Sequence, residues 1–226
     1  VVVEEQKMRI KINEQDTVTA IIYRANKKTR ANITLLLGHG AGADQTSNFM
    51  VGFSEGLAAR GIDVVTFNFL YTEQGRRAPD RNDKLESCYR AAIAAVKAES
   101  KLKQNRLMIG GKSMGGRIAS QVAAGGVENL AGLVFLGYPL HPPGKPDQLR
   151  SEHLFKIGKP MLFVQGARDP FGTSDELRPI IKKLKASLYS VEGGDHSLAV
   201  AKKWPLSQEQ VYEAAQNEIA RWMTAN

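Results

Sequence analysis

The chain has 226 residues, 42% hydrophobic and 24% charged, which excludes a disordered, collagen-like or disulfide-knit polypeptide and suits one α/β domain over 1–226. Its 31 basic and 23 acidic residues leave a net charge of +8, but Lys and Arg are spread along the chain without interleaved aromatics, so solvated faces are expected and no nucleic-acid partner. No apolar run nears the roughly 18 residues of a membrane span, and one cysteine, Cys88, with no signal-like segment before it reads as cytoplasmic, although a start at Val1 leaves a trimmed leader open.

Met8, Ile10 and Ile12 alternate, as do Val18, Ala20 and Ile22, which predicts an antiparallel strand pair around a turn at 13–16. Beyond it the pattern switches to apolar runs interleaved with helical periodicity. Ile33 to Leu37 reads as a buried strand; Phe49, Met50, Phe53 and Leu57 follow at helical spacing, with Gly61 as the stop. A second buried run, Ile62 to Phe67, leads into a polar loop through Asn82. Leu85, Cys88, Ala92, Ala95 and Val96 mark the next helix.

Strands are then predicted at Leu107–Ile109, Leu133–Leu136, Met161–Val164 and Leu188–Val191. Helices are predicted soon after Ser113, at Asp175–Leu184 and at Gln208–Met223. Apolar strands without alternation, separated by helices, require a mostly parallel sheet covered on both faces. In such sheets the working residues sit in loops at the strands' carboxyl ends.

One of those loops holds Gly111-Lys112-Ser113-Met114-Gly115, a G-x-S-x-G sequence. Alone it is a weak signal. Here a strand precedes it and a helix, Arg117 to Val122, follows, as a serine on a sharp strand-to-helix turn requires. The plainer explanation is a serine that caps the helix. A P-loop reading fails because position 106 is arginine, not glycine. Gly38, Gly40 and Ala43 match a dinucleotide fingerprint, but the next strand ends at Phe67-Asn68 and offers no carboxylate for a ribose.

A serine hydroxyl needs an adjacent base that is itself oriented by a third group. Asp169 and His196 lie just past successive strands, in the order expected after a hydrolase serine. Asp195 and Asp175 are rival acids. The first is adjacent to the histidine in sequence, and the second opens a helix, where a carboxylate needs no catalytic explanation. Oxyanion donors are expected from the backbone N–H groups of Met114 and of Ala41, in the Gly-rich loop 38–43. His39 would then brace that loop. The remaining histidines lack metal-site spacing, so no metal and no cofactor are expected.

With these residues in place the chain resembles an α/β-hydrolase over nearly its full length, and is similar to compact dienelactone-hydrolase-like members. It most closely resembles the small family of predicted hydrolases that includes the vertebrate testis-expressed type. The matching segments are His39-Gly40-Ala41, Gly110 to Gly115 with a basic residue before the serine, Tyr138-Pro139-Leu140-His141 and Asp195-His196-Ser197. The resemblance implies triad roles for Ser113, Asp169 and His196. Dienelactone hydrolases proper carry cysteine where this chain has Ser113.

Such enzymes insert a lid after the strand at Leu133–Leu136. Here that insertion is short, 137–156, and stiffened by four prolines. A small or open acyl site follows, with Leu70, Tyr71, Tyr138, Leu140 and His141 as candidate linings, or else as ordinary packing. Lys112 either draws anionic substrates or makes a structural ion pair. The expected activity is cleavage of a small carboxylic ester or thioester. The rival is a non-catalytic protein that keeps the scaffold for binding.

Overall fold

The computed structural model describes residues 3–226. The alternating N-terminal segments form β1 (Glu4–Lys11) and β2 (Thr17–Arg24), paired antiparallel with Ile10 opposite Val18. The later strands are β3 (Ile33–Gly38), β4 (Asp63–Phe67), β5 (Arg106–Lys112), β6 (Leu130–Leu136), β7 (Met161–Gly166) and β8 (Ser187–Val191). All eight join one sheet in the order β1-β2-β4-β3-β5-β6-β7-β8. From β4 to β8 every pairing is parallel, while β2 runs antiparallel to β4. This is the mostly parallel sheet that the hydrophobic pattern requires.

The helices are α1 (Asn48–Ala59), a single turn α2 (Leu70–Glu73), α3 (Asn82–Ala98), α4 (Met114–Ala124), α5 (Ser174–Leu184) and α6 (Gln208–Ala225). Side chains of a strand alternate between its faces, so each buried strand feeds two cores. Leu107, Ile109, Leu133, Phe135 and Phe163 face one core, with Tyr89 of α3, Ile118 of α4 and Leu177 of α5. Leu35, Leu37, Met108, Val134 and Val164 face the other, with Phe53 of α1 and Ile219 of α6. Burial on both faces explains why these strands show no polar alternation.

Two segments depart from the sequence reading. The polar loop after Phe67 contains α2, held by Glu73, which accepts from Thr19 Oγ1 at 2.6 Å and Asn68 Nδ2 at 3.0 Å. The short insertion 137–156 closes with a 3-10 turn at Glu152–Lys156. The four and five residues of these turns are too few for a periodicity to register.

Tyr89 ties α3 to the centre of the sheet. Its ring is fully buried, its hydroxyl lies 2.6 Å from Gly110 O and 2.9 Å from Leu36 O, and it accepts from Gly110 N–H at 3.1 Å. Tyr89→Phe removes those bonds just upstream of Gly111 and should cost about 1–3 kcal/mol. Urea unfolding checks this: a lower midpoint with unchanged slope is expected, and an unchanged midpoint contradicts it.

Candidate active site

Ser113 follows the last residue of β5 and precedes α4. Its backbone adopts φ 51° and ψ −115°, a left-handed conformation unusual for a residue with a side chain. Such a conformation costs on the order of 1–3 kcal/mol and needs surroundings that enforce it. The glycines of the motif supply them. A Cβ on Gly111 would sit 2.8 Å from Gly116 N, and one on Gly115 would sit 2.7 Å from His39 O. Only glycine lets the strand, the turn and α4 pass this close. Ser113 occupies the N-cap position of α4, yet its side chain makes no capping bond. The hydroxyl points elsewhere, which removes the plain capping explanation.

It donates to His196 Nε2 at 2.8 Å, and His196 Nδ1 donates to Asp169 Oδ2 at 2.8 Å. Asp169 is 1% exposed and accepts two further bonds, from Gln165 Nε2 and from the Phe171 N–H, both at 2.8 Å. Three donors converge on the carboxylate, so it acts as acceptor throughout and fixes the imidazole proton on Nδ1. Gln165 is oriented in turn, because its Oε1 accepts from the Tyr138 N–H at 2.7 Å. The Phe171 ring packs on the imidazole, with centroids 4.3 Å apart.

The loop carrying His196 is gripped from both neighbouring strand ends. Lys112, beside Ser113, donates from Nζ to His196 O at 2.7 Å. Arg168, beside Asp169, donates to Gly193 O at 2.9 and 2.7 Å. Among the described residues Lys112 makes no ion pair; it is a brace. The rival acids play other parts. Asp195 accepts from Ser197 and Ala199 N–H groups within its own loop, and Asp175 pairs with Arg178 on the surface.

Ala41 and Met114 line the same cavity as Ser113, and neither backbone N–H has a protein acceptor among the described residues. His39 sits beneath the first of them, fully buried. Its Nδ1 donates to Gly40 O at 2.8 Å and its Nε2 accepts from Phe69 N–H at 3.1 Å. Burial pushes its pKa below the ordinary imidazole value, which keeps the ring neutral in this pairing.

The cavity measures about 500 Å³, with walls that include Phe49, Met50, Pro139, Arg117, Arg150 and Phe171. None of the five candidate linings from the sequence reaches it. Tyr138 is buried under Phe135 and Phe163, with its hydroxyl on Arg150 O. Tyr71 packs on His39 and Phe69, and Leu140 lies in the core. His141 is bound to Pro142 O and faces Glu176, and Leu70 packs against the core from outside. They support the loops from below. Among the described residues no three His, Cys, Asp or Glu side chains cluster as a metal site needs, and no helix is long and apolar enough to cross a membrane.

The alpha/beta hydrolase domain family model matches residues 31–224. In fold the chain is similar to a dienelactone hydrolase from Anabaena variabilis, at TM-score 0.75 and 18% identity over 99% of this chain and 98% of that one. It is also similar to an alpha-beta serine hydrolase homologue from Coxiella burnetii, at TM-score 0.74 and 16% identity over 96% of each. A serine hydrolase without a lid from Xanthomonas campestris aligns at TM-score 0.74 and 17% identity, over 97% and 95% of the two chains. At these identities the likeness is one of fold.

Burial pushes the Lys112 amine down to about 8 from the ordinary 10.5, while Asp169 and Asp195 pull the other way. Between those two values the unfolded chain holds a proton that the folded chain has shed. This group therefore makes the fold more stable as pH rises through that window. Lys112→Met should abolish the gain. Urea midpoints of both proteins at pH 7.5 and 10 test this, and equal responses to pH would contradict it.

Proposed function

The chain belongs to the alpha/beta hydrolase domain family, and from that premise we propose a serine hydrolase that cleaves a small carboxylic ester or thioester through an acyl-enzyme, without a cofactor. The observation that carries this reading is the hydrogen-bonded relay from Ser113 through His196 to Asp169, each step 2.8 Å. Ser113 Oγ attacks the carbonyl carbon while His196 Nε2 takes the hydroxyl proton. The Asp169 carboxylate stabilises the imidazolium that results. Negative charge gathers on the carbonyl oxygen, where the N–H groups of Ala41 and Met114 receive it.

Collapse of this intermediate expels the alcohol or thiol, which leaves with the proton from His196. Water then attacks the acyl-serine, giving its proton to the same nitrogen. The carboxylic acid departs and the proton returns to Ser113 Oγ. No step consumes an oxidant, a metal or a second substrate other than water. The 137–156 segment is short and contributes Pro139 and Arg150 to the cavity walls, which favours small substrates over long acyl chains.

Within the family we propose the testis-expressed type, a reading supported by the motif segments His39-Gly40-Ala41 and Asp195-His196-Ser197. The partner is a small-molecule ester, with no nucleic acid or membrane. The cytoplasm is the proposed compartment, supported by the buried, free thiol of Cys88.

Ser113→Ala should lower turnover of 4-nitrophenyl acetate by on the order of 10⁴-fold or more, while circular dichroism stays native. Near-parental esterase activity in that variant would overturn the assignment.

A further inference from the structure

Two arginines line the cavity beside Ser113, Met114 and His196, and neither forms an ion pair among the described residues. Arg117 lies one turn into α4, so it stands about 6 Å along the helix axis from Ser113. Its guanidinium reaches only neutral amide oxygens, Gln121 Oε1 and Asn82 Oδ1, both at 3.3 Å. Arg150 comes from the short insertion. Its backbone is pinned, with N–H donating to Leu140 O at 2.7 Å and O accepting from Tyr138 OH at 2.7 Å. Among the described residues its guanidinium makes no hydrogen bond and no ion pair.

The other charges in the cavity do not neutralise this pair. Asp80 is the one carboxylate in the walls, and it is taken by Arg76 at 2.8 Å. Lys112 Nζ is committed to His196 O. Burial, and after it the neighbouring Arg150, lower the pKa of Arg117; Glu86 opposes this more weakly. Two like charges lining one cavity, without an ion-pair partner among the described residues, call for an anion from outside. Guanidinium groups pair with carboxylates and phosphates through two parallel hydrogen bonds, which suits this arrangement.

We propose that Arg117 and Arg150 form an anion subsite, and that the ester or thioester carries a carboxylate or phosphate about one helical turn from its reacting carbonyl. The inference rests on the serine-hydrolase reading and names its substrate class. Arg117 fixes the position of the charge relative to Ser113, and Arg150 closes on it from the insertion.

The test compares kcat/KM for mono(4-nitrophenyl) glutarate with that for the neutral 4-nitrophenyl pentanoate. The native enzyme should favour the anionic ester by about tenfold or more at low salt, with the preference shrinking as salt is added. Arg150→Gln should cut the ratio toward one, and Arg117→Gln with Arg150→Gln should remove it. A native ratio of one or below, or a ratio unchanged in the variants, overturns the subsite while leaving the hydrolase reading intact.

If neither ester turns over above Ser113→Ala, the hydrolase reading fails, and the subsite is judged by binding alone. Calorimetry on the Ser113→Ala protein should then detect glutarate or inorganic phosphate, which separates the two anions, and Arg150→Gln should weaken binding about tenfold. No binding of either anion overturns the subsite as well.

Discussion

The hydrogen bond from Ser113 to His196 joins residues 83 positions apart in sequence, carried on two different loops. It holds only if both loops are fixed to within a few tenths of an ångström, since a hydrogen bond weakens steeply with distance and angle. The residues that fix them are the immediate neighbours of the reacting ones. Lys112 and Arg168 reach across from the ends of β5 and β7 and hold the backbone on which the imidazole sits. Asp169 fixes the ring itself. The site is thus over-determined at the histidine.

The strain at Ser113 belongs to the same design. A positive φ on a serine persists because Gly111 and Gly115 allow β5, the Gly38–His39 backbone and α4 to pack with no room between them. That packing aims the hydroxyl away from the helix and toward the cavity. It also leaves the first N–H of α4 without a protein acceptor among the described residues. The parallel sheet supplies the common rim, because β3, β5, β7 and β8 all end on one side.

Much of this is legible in the chain because it follows from periodicity and from position relative to strand ends. Alternation in Met8–Ile12 and Val18–Ile22, and its loss from Ile33 onward, distinguishes the antiparallel pair from the doubly covered parallel core. Ser113, Asp169 and His196 stand out because each follows a strand and each has the chemistry a relay needs. What is hidden is made of long-range side-chain reach. Gln165, Arg168 and Phe171 sit in one short stretch beside Asp169, but nothing in their spacing says that they hold it or the histidine loop. Tyr138 and Leu140 illustrate the converse. An aromatic or apolar residue after a strand has the same pattern whether it lines a cavity or lies beneath it, and here the floor of the loop claims both. Arg117 and Arg150 escape a sequence reading for a similar reason: that neither meets a carboxylate among the described residues is a property of the three-dimensional neighbourhood.

Intact-mass analysis after exposure to a fluorophosphonate probe tests the central claim most directly, because the probe reports a hydroxyl made nucleophilic by its base and requires no knowledge of the natural ester. One adduct per folded chain, mapped to Ser113 and lost in His196→Ala, is the predicted result. A folded native protein that takes no label, or that takes it at another residue, would contradict the account.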